Sequence, residues 1–143
     1  MPVNRPLLRS GFVLILLALL TGLVVPQLAN PRLGLAAHTV GLFGGLFLVV
    51  LGGVVVPILA LGPRAHRVVQ VCWVYAVYAN WLAALFGALT GASRRTPLAG
   101  AGTQGGPVAE GIVEALLLSL SLAALVGAGL VLWGLRRCSA TDP

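Results

Sequence analysis

Four long apolar stretches, separated by short segments that hold nearly all of the charge, constrain this chain more than any other feature. The first runs from Gly11 to Ala29, behind Arg5 and Arg9. At 1.5 Å per residue, about 19 helical residues cross the roughly 30 Å hydrocarbon core of a bilayer. Of the 143 residues, 59% are hydrophobic and only 8% are charged, where a soluble domain carries about 25%. No aqueous core of this length buries so much apolar surface. The pattern predicts an all-α integral membrane protein, a bundle of four transmembrane helices near 11–29, 35–61, 68–89 and 108–135, with 1–143 forming one domain.

All nine basic residues are arginine. They flank the apolar stretches without interleaved aromatics, so they read as topology signals and not as a nucleic-acid footprint. Arg5, Arg9, Arg64, Arg67, Arg136 and Arg137 fall on one side of the membrane, and Arg32, Arg94 and Arg95 on the other. The positive-inside rule then puts both termini in the cytoplasm. A cleaved signal peptide fits the first stretch poorly, because Gln27 stands where a small residue belongs and Pro26 interrupts the site. Pro26 is expected to loosen the last turn of a retained helix. Cys72 and Cys138 fall on the cytoplasmic side, where thiols stay reduced, and neither has a metal-binding partner at useful spacing.

The stretch from Asn30 to Gly53 places His38 at the mouth of the second apolar run. An ionisable group at the edge of hydrocarbon is a functional candidate. At about 100° per residue, Gly41, Gly45 and Gly52 fall within roughly 60° of the His38 direction. That face carries an imidazole above a stripe nearly free of side chains. It suits a neighbouring helix at close range, or a flat macrocycle hung from the imidazole. His66, between Arg64 and Arg67, reads as a solvated or headgroup-level residue.

The third stretch is the most polar and aromatic, with Gln70, Cys72, Trp73, Tyr75, Tyr78, Asn80 and Trp81. Asn80 lies about 20 Å along a helix from Arg67, so its amide needs a partner in the bundle interior. Trp73, Val77, Asn80 and Ala84 share one face, with Tyr78 and Trp81 to its side. Thr90 to Pro107 is too rich in Gly, Pro, Ser and Thr for continuous helix, and a loop so long in so small a protein suggests function. Glu110 and Glu114 open the fourth helix. Glu110 reads as an end-cap charge. Glu114 is expected to pair with Arg94 or Arg95, or to share a cavity with Asn80.

Ala37-His38, Tyr78-Ala79-Asn80-Trp81, the run Pro97-Leu98-Ala99-Gly100-Ala101-Gly102, Gly106-Pro107 and the Glu110/Glu114 helix start together resemble the hydroxylaminobenzene mutases and the related styrene oxide isomerases. The resemblance extends from Thr21 to Arg136. It implies a haem b whose iron takes His38 as axial ligand, a homotrimer, and Asn80 as the contact for the substrate oxygen; Gly41 and Gly45, on the His38 face by spacing, are then the candidate shelf for the macrocycle. It also implies an isomerase that moves oxygen within a small aromatic substrate, here an arylhydroxylamine rearranged to an aminophenol in the inner membrane. Haem iron would act as a Lewis acid, Tyr78 and Trp81 as aromatic walls, and Glu114 as the group that moves a proton. Gly44, Ala76 and Ala84 depart from the isomerases, which carry Asn, Asp and Tyr there, and so favour the mutase branch over epoxide isomerisation. Two other readings stand beside it. One is a non-enzymatic haem-binding subunit of a larger complex. The other is a small transporter, though the chain lacks inverted halves.

Overall fold

The computed structural model describes residues 3–136, so Arg137 and Cys138 lie outside the described residues. Four long helices are apolar enough to cross a membrane. These are α1 (Arg5–Val24), α2 (Pro31–Val50), α3 (Pro63–Thr90) and α4 (Pro107–Arg136). Each starts with a proline in its first turn, where the missing N–H costs nothing because that group has no intrahelical acceptor. Asn4 and Asn30 cap α1 and α2 by accepting the N–H groups of Leu7 and Leu33, each at 3.1 Å. These caps set the starts several residues ahead of the apolar runs, which is why the helices begin earlier than hydropathy alone indicates.

Prolines also shape the helix ends. Around Pro26 the end of α1 tightens to a 3-10 turn, Val25–Gln27. Beyond Val50, α2 continues through a π-turn, Leu51–Val55, into a last turn at Val56–Ile58. Pro57 has no N–H to give, and upstream of it the Val56 N–H reaches back to Leu51 O. The Gly52 carbonyl is thereby available to the Asn4 N–H at 2.9 Å, which ties the start of α1 to the end of α2. At the same end His66 Nε2 lies 3.0 Å from Leu59 O, a bond that holds the chain leaving α2. His66 is therefore a structural cap and not merely a solvated residue.

The helices pack in chain order, α1 on α2, α2 on α3 and α3 on α4, while α1 and α4 scarcely touch. α1 also meets α3, so the first three helices form the body of the bundle and α4 lies along the side of α3. Much of α4 faces outward through Leu118, Leu122, Leu125 and Leu132, as a helix facing lipid does. The seams are built on small residues. A Cβ on Gly45 would meet Ile15 Cγ1 at 2.5 Å and Gly11 O at 2.7 Å, and one on Gly41 would meet Ala18 Cβ at 2.7 Å. The glycine stripe is thus filled by α1. On α4, Gly127 gives room in the same way to the Trp73 indole.

Candidate functional site

At the end opposite Asn4 and Arg136, residues 91–106 fold over the helices as an ordered cap. Gly91, at φ 76°, ends α3 in the left-handed region that glycine enters without strain. Glu110 organises the cap from within. Its side chain is buried, and its carboxylate accepts the backbone N–H groups of Ser93, Arg94 and Gly105, each at 3.0 Å. It is more than the end-cap charge its sequence position suggests. Asn30 works from the other side: Nδ2 donates to Gly100 O at 2.9 Å and to Thr103 Oγ1 at 2.7 Å, while the Asn30 N–H bonds Ala88 O. The Ser93 hydroxyl donates to the Thr103 carbonyl. One buried carboxamide and one buried carboxylate therefore staple the cap to the starts of α2 and α4. The Asn-Pro pair at 30–31 is a helix-start signature legible in sequence; its reach across to the cap is not.

Beneath the cap lies a cavity of about 200 Å³, which separates α2 from α4. Its walls are nearly all small or aliphatic, with Ala36 and Val40 from α2, Ala83 and Ala84 from α3, Ala92 and Ala99 from the cap, and Val113 and Leu117 from α4. The polar side chains among them are those of Asn80 and Thr96. Among the described residues the Asn80 amide has no hydrogen-bond partner. A carboxamide left unpaired in an apolar, membrane-embedded wall costs free energy on the order of 1–3 kcal/mol, so its natural partner is a molecule in the cavity. Asn80 also borders an open groove lined by Phe43, Gly44, Phe47 and Trp73, whose Phe47 and Trp73 rings lie 4.5 Å apart. Two of the positions that depart from the isomerase pattern, Gly44 and Ala84, therefore lie on these two walls.

Other expected site residues lie elsewhere. The Tyr78 hydroxyl donates to Ser10 O at 2.9 Å, and Trp81 Nε1 donates to Thr21 Oγ1 at 3.2 Å. Both aromatics hold α3 to α1 and neither walls the Asn80 cavity, because they lie on the α1 side of their helix. The aromatic lining near Asn80 comes instead from Phe43, Phe47 and Trp73. Glu114 pairs with Arg95 and, at 3.5 Å, with Arg94. The carboxylate raises the Arg95 pKa above its ordinary value by hydrogen bond and charge. Glu114 does not line the cavity, and here it serves as an ionic anchor for the cap.

His38 is half-buried against α1. Its Nδ1 lies 2.7 Å from Ala18 O, and a Cβ on Gly22 would meet the ring at 2.7 Å. Backbone carbonyls only accept, so Nδ1 donates, and Nε2 has no hydrogen-bond partner among the described residues. That pattern, one ring N–H to a carbonyl and the other nitrogen open, is the one metal-ligating histidines show. Among the described residues no three His, Cys, Asp or Glu side chains cluster to hold a metal ion. A macrocycle bringing its own nitrogen donors needs only one such axial side chain, so His38 fits a haem ligand. Gly41 and Gly45 do not form its shelf, because α1 fills the stripe. Nor does His38 meet Asn80: the cavity takes Ala36 and Val40 of α2, each about 200° around the helix from His38.

The fold and site define a multi-pass helical membrane protein with an apolar, ring-sized cavity that offers a free amide. Residues 3–136 match the styrene oxide isomerase family, and the chain belongs to that family. It is 45% identical over 140 residues to hydroxylaminobenzene mutase HabB of Ectopseudomonas oleovorans, covering 97% of this chain and 85% of that protein. To hydroxylaminobenzene mutase HabA of the same organism it is 37% identical over 132 residues, 92% of this chain and 97% of that one. No solved structure matches it. The chain is accordingly an enzyme of the isomerase and mutase kind, and the reading as a non-enzymatic subunit falls away.

Proposed function

We propose that this enzyme rearranges arylhydroxylamines such as hydroxylaminobenzene to aminophenols within the membrane. The observation that carries the reading is the unpartnered Asn80 amide in a cavity otherwise walled mainly by alanine and branched aliphatics. An arylhydroxylamine is an apolar ring with one polar end, the shape and polarity this cavity complements. Its volume of about 200 Å³ exceeds the roughly 150 Å³ of a protein cavity that takes benzene, leaving room for a single ring and its N–OH group. The names of HabB and HabA support the same substrate class.

In the rearrangement an N–O bond breaks, a C–O bond forms on the ring, and the displaced ring proton passes to nitrogen, with no net redox change. Asn80 Nδ2 donates to the hydroxyl oxygen and Oδ1 accepts from the N–H, so that one amide fixes the direction of the N–O bond. The alanine walls and the cap keep water from the electron-poor ring that forms as N–O breaks. An apolar substrate enters sideways from lipid.

His38 would hold haem b through Nε2, with Ala18 O fixing the ring from behind. Haem iron, when bound, supplies a Lewis acid. His38 and Asn80 look away from each other within one chain. A homotrimer that lays the α1–α2 face of one copy against the cavity side of the next would join them. The arginine distribution supports an inner-membrane protein with both termini in the cytoplasm. Epoxide isomerisation is the second reading, favoured by the family's name and opposed by Gly44 and Ala84 on the site walls. Membranes carrying the chain, incubated with hydroxylaminobenzene, are expected to yield 2-aminophenol. No aminophenol alongside conversion of styrene oxide to an aldehyde would transfer the assignment to the epoxide branch.

A further inference from the structure

Thr96 occupies the N-cap position of the single-turn helix Pro97–Gly100, yet its side chain does not cap it. Asn4 and Asn30, at the equivalent positions of α1 and α2, do. The Thr96 backbone is fully used, its N–H bonding Ser93 O at 2.9 Å and its carbonyl accepting the Gly100 N–H at 2.8 Å. The hydroxyl has no partner among the described residues, and Thr96 lines the cavity that Asn80 lines. Two hydrogen-bonding side chains, one from α3 and one from the cap, therefore border the same small apolar space, neither with a partner among the described residues.

We propose that Thr96 is the second polar contact of the substrate, its hydroxyl pairing with the hydroxylamine group that Asn80 also holds. This rests on the arylhydroxylamine reading and goes beyond it by assigning specificity to the cap. The N–OH group offers two donors and two acceptor atoms, more than one amide satisfies. With Asn80 taking the N–H and the oxygen lone pair, the substrate O–H is the donor left over, and the Thr96 hydroxyl oxygen accepts it. Two contacts from different elements also select ring compounds with a hydroxyl on nitrogen over plain anilines, since an analogue lacking the hydroxyl leaves Thr96 unpaired.

The test compares wild type, Thr96→Val and Thr96→Ser in membranes with hydroxylaminobenzene, and uses aniline as a competitive inhibitor that lacks the hydroxyl. Valine keeps the shape and removes the hydrogen bond. Thr96→Val is expected to lower kcat/KM about tenfold while leaving the aniline inhibition constant unchanged, and Thr96→Ser to stay within about threefold of wild type. Wild-type turnover with Thr96→Val equally active overturns the contact and leaves the arylhydroxylamine reading intact. Parallel loss of aniline affinity in Thr96→Val shows a structural role and also overturns it. Absence of turnover in wild type removes both.

Discussion

His38 Nδ1 lies 2.7 Å from the carbonyl oxygen of Ala18, one helix away. The bond selects the tautomer that carries its proton on Nδ1, and Gly22 leaves the ring its space. On the proposed haem assignment the purified protein is expected to show a Soret band and His38→Ala to abolish it. Gly22→Ala crowds the ring and should weaken haem affinity by about 10–100-fold, the usual range for disturbing the group that orients a ligating histidine. Normal haem content in His38→Ala would end the assignment.

Gly45→Ala puts a methyl 2.7 Å from the Gly11 carbonyl, a backbone atom that cannot swing aside. We expect a loss of about 1–3 kcal/mol, read from thermal unfolding in detergent by tryptophan fluorescence. Gly53→Ala meets nothing within 4 Å and should change stability by less than about 1 kcal/mol.

Asn80→Leu separates function from stability. The amide makes no hydrogen bond within the described chain, so its removal should leave the unfolding temperature unchanged or raised. Activity should fall by about 10²-fold or more, because the N–O bond loses its orienting group. Equal loss of stability and activity would show that Asn80 is a packing residue.

Ala84→Leu fills part of the cavity from α3. Turnover of para-substituted hydroxylaminobenzenes should fall more than that of the parent compound, measured as kcat/KM across the series. A uniform effect on all of them would mean that this wall does not meet the ring.

The cap depends on Asn30 and Glu110. Asn30→Ala removes an N-cap and two hydrogen bonds from a buried amide, and should cost about 1–3 kcal/mol. Glu110→Gln leaves the Arg94 N–H facing a donor instead of an acceptor. Trypsin should then cut at Arg94 and Arg95 faster than in wild type. Glu114→Gln, which releases only the arginine side chains, should accelerate cleavage less.

The four membrane spans were legible in the sequence because each is a long apolar run bounded by Arg, Pro or Asn, and hydrocarbon admits only a helix whose backbone bonds are internal. The depth of Asn80 along α3 was legible from its distance to Arg67, whereas the absence of a partner for its amide among the described residues was not. The partner of the glycine stripe below His38 was not, since a side-chain-free surface suits a helix or a macrocycle equally; only the docking of α1 resolved it. Helical spacing set Tyr78 and Trp81 beside Asn80's face, but their hydroxyl and indole bonds run to Ser10 and Thr21 on another helix, and partners about 60 residues or more apart leave no local trace. Likewise Glu110 is one acidic residue at a helix start until Ser93, Arg94 and Gly105 fold onto it. Local chemistry wrote the helices and the polar exceptions within them, whereas the cavity and its cap exist only where separate helices and one long loop converge.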